Sequence, residues 1–490
     1  MKKLIGLLIG ILVLTGTSFG QIDYGNAWYR ANADRTFIKL VVEEDGIYRV
    51  TKAELEAAGY DLTGVASENL QLYYRDQEIP IFVQKDLNSF SYVEFFGERN
   101  DGSVDSIAYR DPITGAHKPD LQPNKNFSLY TDKSAYFLTW SNTPSPTRYF
   151  KQFDPTYQLS TPVSSFKYTS WVQYDPFDQK GELVRGGGGS YDSFYTLNSD
   201  FVTGEGYCGP RITLSESLTI QFETPFAMNN GSPVDLKARV FGRSNSRHKL
   251  QAVFNQESTP FIDTTIESDV IYIKTYQSDY QPQGNVGAVS TMTFRALQPN
   301  VDNNNFCWAS VTYERQPDLG GDSAVFITGW DKGNRAYLEL DNVVGDDTVF
   351  VYDRSSRVRS LGLIQGNSAR VIITGLNTTR DLYLATDRAI KKPQIEQAKL
   401  NKLFDRPGVD YVIVTHRGLQ ASAEAYASYR DTSRTIDLST TVVYVDEIYD
   451  EFGYGSVTPW AIKRFCKYAL DNWSTRPRYF LFWGKGYDLS

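Results

Sequence analysis

Side chains able to make and break bonds are sparse in this 490-residue sequence. It holds three cysteines, Cys208, Cys307 and Cys466, and three histidines, His117, His248 and His416. A cysteine beside a histidine makes an acyl-transfer nucleophile, because the imidazole takes the thiol proton. His416 is the best-placed candidate. It follows the apolar run Val409-Asp-Tyr-Val-Ile-Val-Thr415, where a general base at the carboxyl edge of a sheet would stand. No cysteine or serine can be paired with it from sequence, so the plainer reading is favoured: a polar residue at a strand-to-helix turn. Cys466 falls on the apolar stripe of a helical pattern, and a cysteine in apolar surroundings is inert. Asp446, Glu447, Asp450 and Glu451 follow a second apolar run, and Asp488 follows a third. These acids could hold a cation or meet a basic substrate; helix capping and turns are the commoner use. The histidines are scattered and make no ligand cluster. No metal, no cofactor and no catalytic residue is therefore assigned within the chain.

The elements that would position these residues are legible. Val409–Thr415, Thr440–Asp446 and Arg478–Gly484 are β-branched or aromatic runs separated by two helical patterns. Leu419, Ser422, Ala423, Tyr426 and Ala427 form one stripe. Ile462, Phe465, Cys466, Ala469 and Trp473 form the other, opened by Pro459. Strands alternating with helices predict βαβ units in a parallel sheet, with chemistry just outside the carboxyl ends of the strands. Three such strands bury little, so the third would be left as an apolar edge. The intact protein is expected to continue beyond Ser490, or the chain to be a truncated product.

Upstream the chain reads as β-rich. Tyr 33, Phe 28 and Trp 8 against Met 3 favour strands. With 41% hydrophobic and 22% charged residues it is globular. A net charge of −8 gives no nucleic-acid footprint. Lys2, Lys3 and the apolar Leu4–Leu14 fit a secretory signal peptide over 1–20, and no later stretch is long enough for a membrane helix. A β-rich amino-terminal domain is expected over 21–160, a second β-rich, sandwich-like region over 161–385, and the α/β unit over 386–490. Phe37–Val42 and Ile47–Val50 read as a hairpin about Asp45-Gly46. Ile79–Val83 reads as one strand, residues 186–190 as a flexible bend, and Thr51 with Glu54 as a capping box. Arg388–Phe404 has helical spacing.

Several motifs together resemble the gingipain-type cysteine peptidases, and among them the sortases of the type IX secretion system of Bacteroidetes. They are Asp410-Tyr-Val-Ile-Val-Thr-His416 with the helix ending Tyr429-Arg430, then Val443-Tyr-Val-Asp-Glu-Ile-Tyr-Asp-Glu-Phe452 with Gly455 and Ala461-Ile-Lys-Arg-Phe465. Upstream they are Glu44-Asp-Gly-Ile-Tyr-Arg49, Phe95-Phe-Gly-Glu98 with Asp101-Gly-Ser-Val-Asp105, Asn126-Phe-Ser-Leu-Tyr-Thr-Asp132 and Trp330-Asp-Lys-Gly-Asn334. The resemblance implies a β-rich region ahead of the first βαβαβ part of a caspase-like α/β domain. It implies a protease that removes the carboxyl-terminal signal domain of secreted cargo and attaches the cargo to a surface lipopolysaccharide. Its partners would be that cargo and outer-membrane components of the secretion system, and its location the periplasm, outer membrane or cell surface. In that family a Gly-His-Gly histidine and a later cysteine form the dyad, on strands after the third. Neither motif occurs here, so the dyad is expected beyond Ser490 and this chain alone is expected to be inactive. Gly484-Lys-Gly-Tyr-Asp488 stands where those relatives usually place Gly-Asp. Two other readings remain: a non-catalytic secreted binding or scaffold protein with a degenerate peptidase remnant, and a glycan-binding β-sandwich protein.

Overall fold

The computed structural model describes residues 23–485 apart from 88, 111–113, 115, 158–160, 175–180, 185–200, 202, 245, 268–270, 300, 331–332 and 433–437. The segment 1–20 that reads as a signal peptide, the expected bend at 186–190 and Asp488 lie outside the described residues.

Alternating apolar residues build an amino-terminal unit of two antiparallel sheets around Ile38, Leu40, Leu72, Phe95 and Leu138. One sheet runs in the order Gln394–Gln397, Ile38–Val42, Ser134–Trp140, Leu70–Tyr74 and Gln77–Ile79. The other is Gly46–Thr51, Ser89–Gly97 and Phe82–Asp86. The expected hairpin about Asp45-Gly46 does not form. Ile38–Val42 pairs with Ser134–Trp140, whereas Gly46–Thr51 pairs with Ser89–Gly97, so the turn passes the chain from one sheet to the other. The run at 79–83 is likewise split at Pro80, which has no N–H to give a ladder. Its first part ends the first sheet, and Phe82 starts a strand of the second. The capping box is present. Thr51 Oγ1 accepts from Glu54 N at 3.1 Å, and the Glu54 carboxylate accepts from Thr51 N at 2.8 Å.

Two further β units follow. A sandwich packs Arg211–Ile212, Asn304–Arg315, Val234–Gly242, Tyr272–Tyr280 and Phe166–Gln173 against a four-stranded sheet. That second sheet is Leu218–Glu223, Val289–Ala296, His248–Phe254 and Pro260–Ile266, and Leu236, Phe294, Phe306 and Val311 fill the space between the two. Next, six strands between Ala324 and Thr386 form a sheet that Phe150–Phe153 joins in parallel. This sheet meets the amino-terminal unit at a sealed polar junction. Glu94 receives Arg49 Nη2 at 2.6 Å, Arg359 Nε at 2.8 Å and the Tyr352 hydroxyl. The Arg359 guanidinium also lies over the Phe82 and Phe350 rings. A buried carboxylate is tolerated only with such partners.

The segment Arg388–Phe404 is not a helix. Pro393 disfavours helical backbone at the residue before it, and Gln394–Gln397 instead extends the first sheet beside Ile38–Val42. From there the chain enters a three-stranded parallel sheet with helices on both faces. Among the described residues no helix is long and apolar enough to cross a membrane.

Candidate functional site

The terminal sheet places Tyr411–Thr415 between Thr440–Tyr444 and Tyr479–Trp483, all parallel. Thr415 is level with both Tyr444 and Trp483, so three carboxyl ends open on one edge. Val412, Ile413 and Val414 are all buried because both faces of the central strand are covered. Helix Gln420–Asp431 covers Ile413 with Ala423 and Ala427. Helices Val445–Phe452 and Pro459–Asn472 cover Val412 and Val414 with Ile448, Phe452, Phe465 and Ala469. The stripe of the first helix is narrower than its spacing suggested, since Leu419 and Ser422 are exposed. The outer strand has no partner on its far side among the described residues, and Tyr479 and Phe482 are 51% and 58% exposed.

His416 stands at the carboxyl end of the central strand and is exposed. Its Nδ1 accepts a hydrogen bond from Gly418 N at 3.0 Å and caps the turn Arg417–Leu419. With Nδ1 committed as acceptor, the neutral ring carries its proton on Nε2. Cys466 lies midway along the last helix, half-buried, in a shallow groove of about 500 Å³ lined by Pro459, Ile462, Lys463, Leu470 and Phe482. Burial pushes its thiol up to about 12, which leaves little thiolate near neutrality. Neighbouring Lys467 is turned to Asp471, 2.6 Å away. The structure thus does not bring His416 and Cys466 together as a dyad.

The acids after the second strand belong to a helix, Val445–Phe452. Sequence reasoning passed over it, although Val445, Ile448, Tyr449 and Phe452 carry helical spacing. Its carboxylates are spent on neighbouring segments. Arg417 bridges Asp446 at 2.6 Å and Glu447 at 2.8 Å, its guanidinium lying 4.3 Å from the Tyr444 ring centre. Glu447 also accepts from Asn401 at 2.7 Å. Asp450 pairs with Lys39 at 2.6 Å and accepts from Lys399 N at 2.6 Å. Glu451 accepts from the backbone N–H groups of Leu403 and Phe404 at 2.8 and 2.9 Å. Burial raises the Glu451 carboxyl to about 7 against these bonds, and raises Asp450 against the pull of Lys39. Asp446 and Glu447 also sit in the first helical turn, where the helix dipole favours negative charge.

The same unit is seated on the amino-terminal region. Trp460 packs with Ala108, Tyr109 and Phe201. Tyr24 stands edge-on to Tyr468, and Asp23 pairs with Arg464 at 3.1 Å. Two of the sequence motifs meet nearby. Asp105 accepts from Ser128 Oγ at 2.7 Å and Leu129 N at 2.9 Å. Gly102 adopts φ +70°, and a Cβ there would run into the Phe127 carbonyl.

A parallel α/β unit set on β-rich units is the arrangement of a caspase-like domain behind β-sandwiches. Residues 405–489 match Peptidase family C25, the gingipain family that the motifs resemble. Over 90% of its length the chain has the fold of dimeric latent PorU from Porphyromonas gingivalis, with a TM-score of 0.53 and 15% identity over 40% of that chain. The chain thus spans 40% of the length of that PorU chain. A β-porphyranase of Bacteroides plebeius, BpGH86A, aligns at a TM-score of 0.18 with 9% identity over 57% of this chain and 34% of its own, too low to bear on fold or function. No curated protein matches the sequence.

Proposed function

We propose that this protein is a gingipain-type cysteine endopeptidase acting as a sortase of type IX secretion. In this reading its amino-terminal 1–20 segment exports it. It then removes the carboxyl-terminal signal domain of secreted cargo and attaches the cargo to the cell surface. The observation that carries the reading is the coincidence of the C25 match at 405–489 with a fold shared with PorU over 90% of the chain. In the chemistry of such enzymes a thiolate attacks the peptide carbonyl and backbone N–H groups hold the oxyanion. The leaving amine departs, and water or a second amine takes the acyl group from sulfur. His416 and Cys466 are not the base and nucleophile of that step. Residues 21–160 and 161–385 serve as successive β units behind the α/β unit at 386–490. Gene deletion in the host tests the reading: cargo should accumulate with its signal domain attached, and normal processing would contradict it.

One observation favours a second reading, a binding or scaffold protein with a peptidase remnant. Asp446, Glu447, Asp450 and Glu451 are all engaged in holding segments together. Under that reading residues 1–490 alone would restore the deletion strain; under the first they would not.

A further inference from the structure

Cys208 and Cys307 are 99 residues apart in sequence, and their Sγ atoms lie 3.7 Å apart. Both are buried, at 0% and 1% exposure, in a pocket with Val184 and Phe241. The backbone holds them side by side. Gly209 N donates to Phe306 O at 2.6 Å and Phe306 N to Pro210 O at 3.0 Å. Beyond these, Arg211 pairs with Asn305 and Ile212 with Asn304. A β-bulge sets the direction of Cys307. Opposite strand Val234–Gly242, Arg239 faces Trp308 and Val240 faces Phe306, which leaves Cys307 as the extra residue. Bulges re-aim a side chain that strict alternation would send elsewhere. Both sulfurs also lie within electrostatic reach of the buried Arg239 guanidinium.

We propose that Cys208 and Cys307 are a cross-linking pair that forms an intrachain disulfide by exchange with a small-molecule disulfide. One thiolate attacks a sulfur of the small disulfide, forming a mixed disulfide and releasing one small thiolate. The second thiolate attacks the protein-bound sulfur, forming the Cys208–Cys307 bond and releasing the other. Two protons leave the protein, and the small disulfide takes up the two electrons. A side-chain rotation closes the remaining gap to the ~2 Å of an S–S bond. Because both thiols are sealed, exchange proceeds during folding or local opening. The bond would anchor the segment that joins three parts of the molecule. Phe201 rests on Trp460, Gly204 N donates to Leu121 O at 2.9 Å, and the Tyr109 hydroxyl donates to Glu205 O. Cys466 belongs to another unit and is left out.

The test is to unfold the reduced chain, refold it with oxidised and reduced glutathione, alkylate the remaining thiols and map peptides by mass. The expected result is one cross-linked Cys208–Cys307 peptide lighter by two hydrogens, an alkylated Cys466, and a higher Tm than the reduced form. C466S should keep the cross-link and C208S should lose it. Protein isolated without reductant and alkylated in denaturant provides a second reading independent of refolding, with the same peptide expected. Alkylation of both Cys208 and Cys307 in that sample, or a bond from either to Cys466, would overturn the proposal.

Discussion

Lys39 Nζ lies 2.6 Å from Asp450 Oδ1 although 411 residues separate them. The pair joins the first strand of the amino-terminal unit to the helix that follows the second strand of the terminal parallel sheet. Both side chains are largely shielded, so removing Lys39 leaves the buried Asp450 carboxylate with only the Lys399 N–H as partner. Lys39→Met is expected to cost about 3–5 kcal/mol at neutral pH. The loss should shrink in acid, because burial raises the Asp450 carboxyl and protonation removes its stranded charge. Urea unfolding at two pH values measures this; an equal loss at both would count against a buried ion pair.

Glu451 gives a pH dependence of definite sign. Its folded carboxyl is raised from 4.5 to about 7, so folding takes up a proton between those values. Stability therefore falls as pH rises from about 4.5 to 7, by about 3 kcal/mol from this group. Glu451→Gln should flatten that part of the profile of Tm against pH. Parallel profiles for variant and parent would remove Glu451 as the cause.

Glu94 and Arg359 predict a second sensitive junction. Glu94→Ala strands the Arg359 guanidinium and the Tyr352 hydroxyl at a site with no solvent. A loss of about 3–5 kcal/mol is expected, against clearly less for Glu94→Gln, which keeps an acceptor. Chemical denaturation compares them, and equal losses would point to packing rather than charge.

Gly102→Ala is expected to cost about 1–3 kcal/mol, the range for non-glycine residues forced into left-handed backbone. The variant also meets the Phe127 carbonyl, loosening the contact between the Asp101–Asp105 and Asn126–Asp132 motifs. An unchanged denaturation midpoint would refute this.

What could be read from sequence follows a physical divide. The three strands of the terminal sheet stood out because Val412-Ile-Val414 and its counterparts are apolar without alternation, as strands covered on both faces must be. His416 was legible as a turn residue. Helix Val445–Phe452 was not, because its four acids masked the repeat of Val445, Ile448, Tyr449 and Phe452. Buried carboxylates on a helix make sense only once Lys39, the backbone at 399–404 and Arg417 are known to face them. Strand partners were equally hidden. Ile38–Val42 takes one neighbour from 394–397, a pairing that no local pattern encodes, and the proximity of Cys208 and Cys307 depends on a bulge.

The proposed peptidase chemistry does not run through His416 and Cys466. A peptidyl electrophile that alkylates cysteine-protease nucleophiles tests it, applied to the protein isolated from its host and located by peptide mass mapping. The account predicts that Cys466 stays unmodified and that labelling is unchanged in His416→Ala. An adduct on Cys466 that disappears in His416→Ala would contradict it.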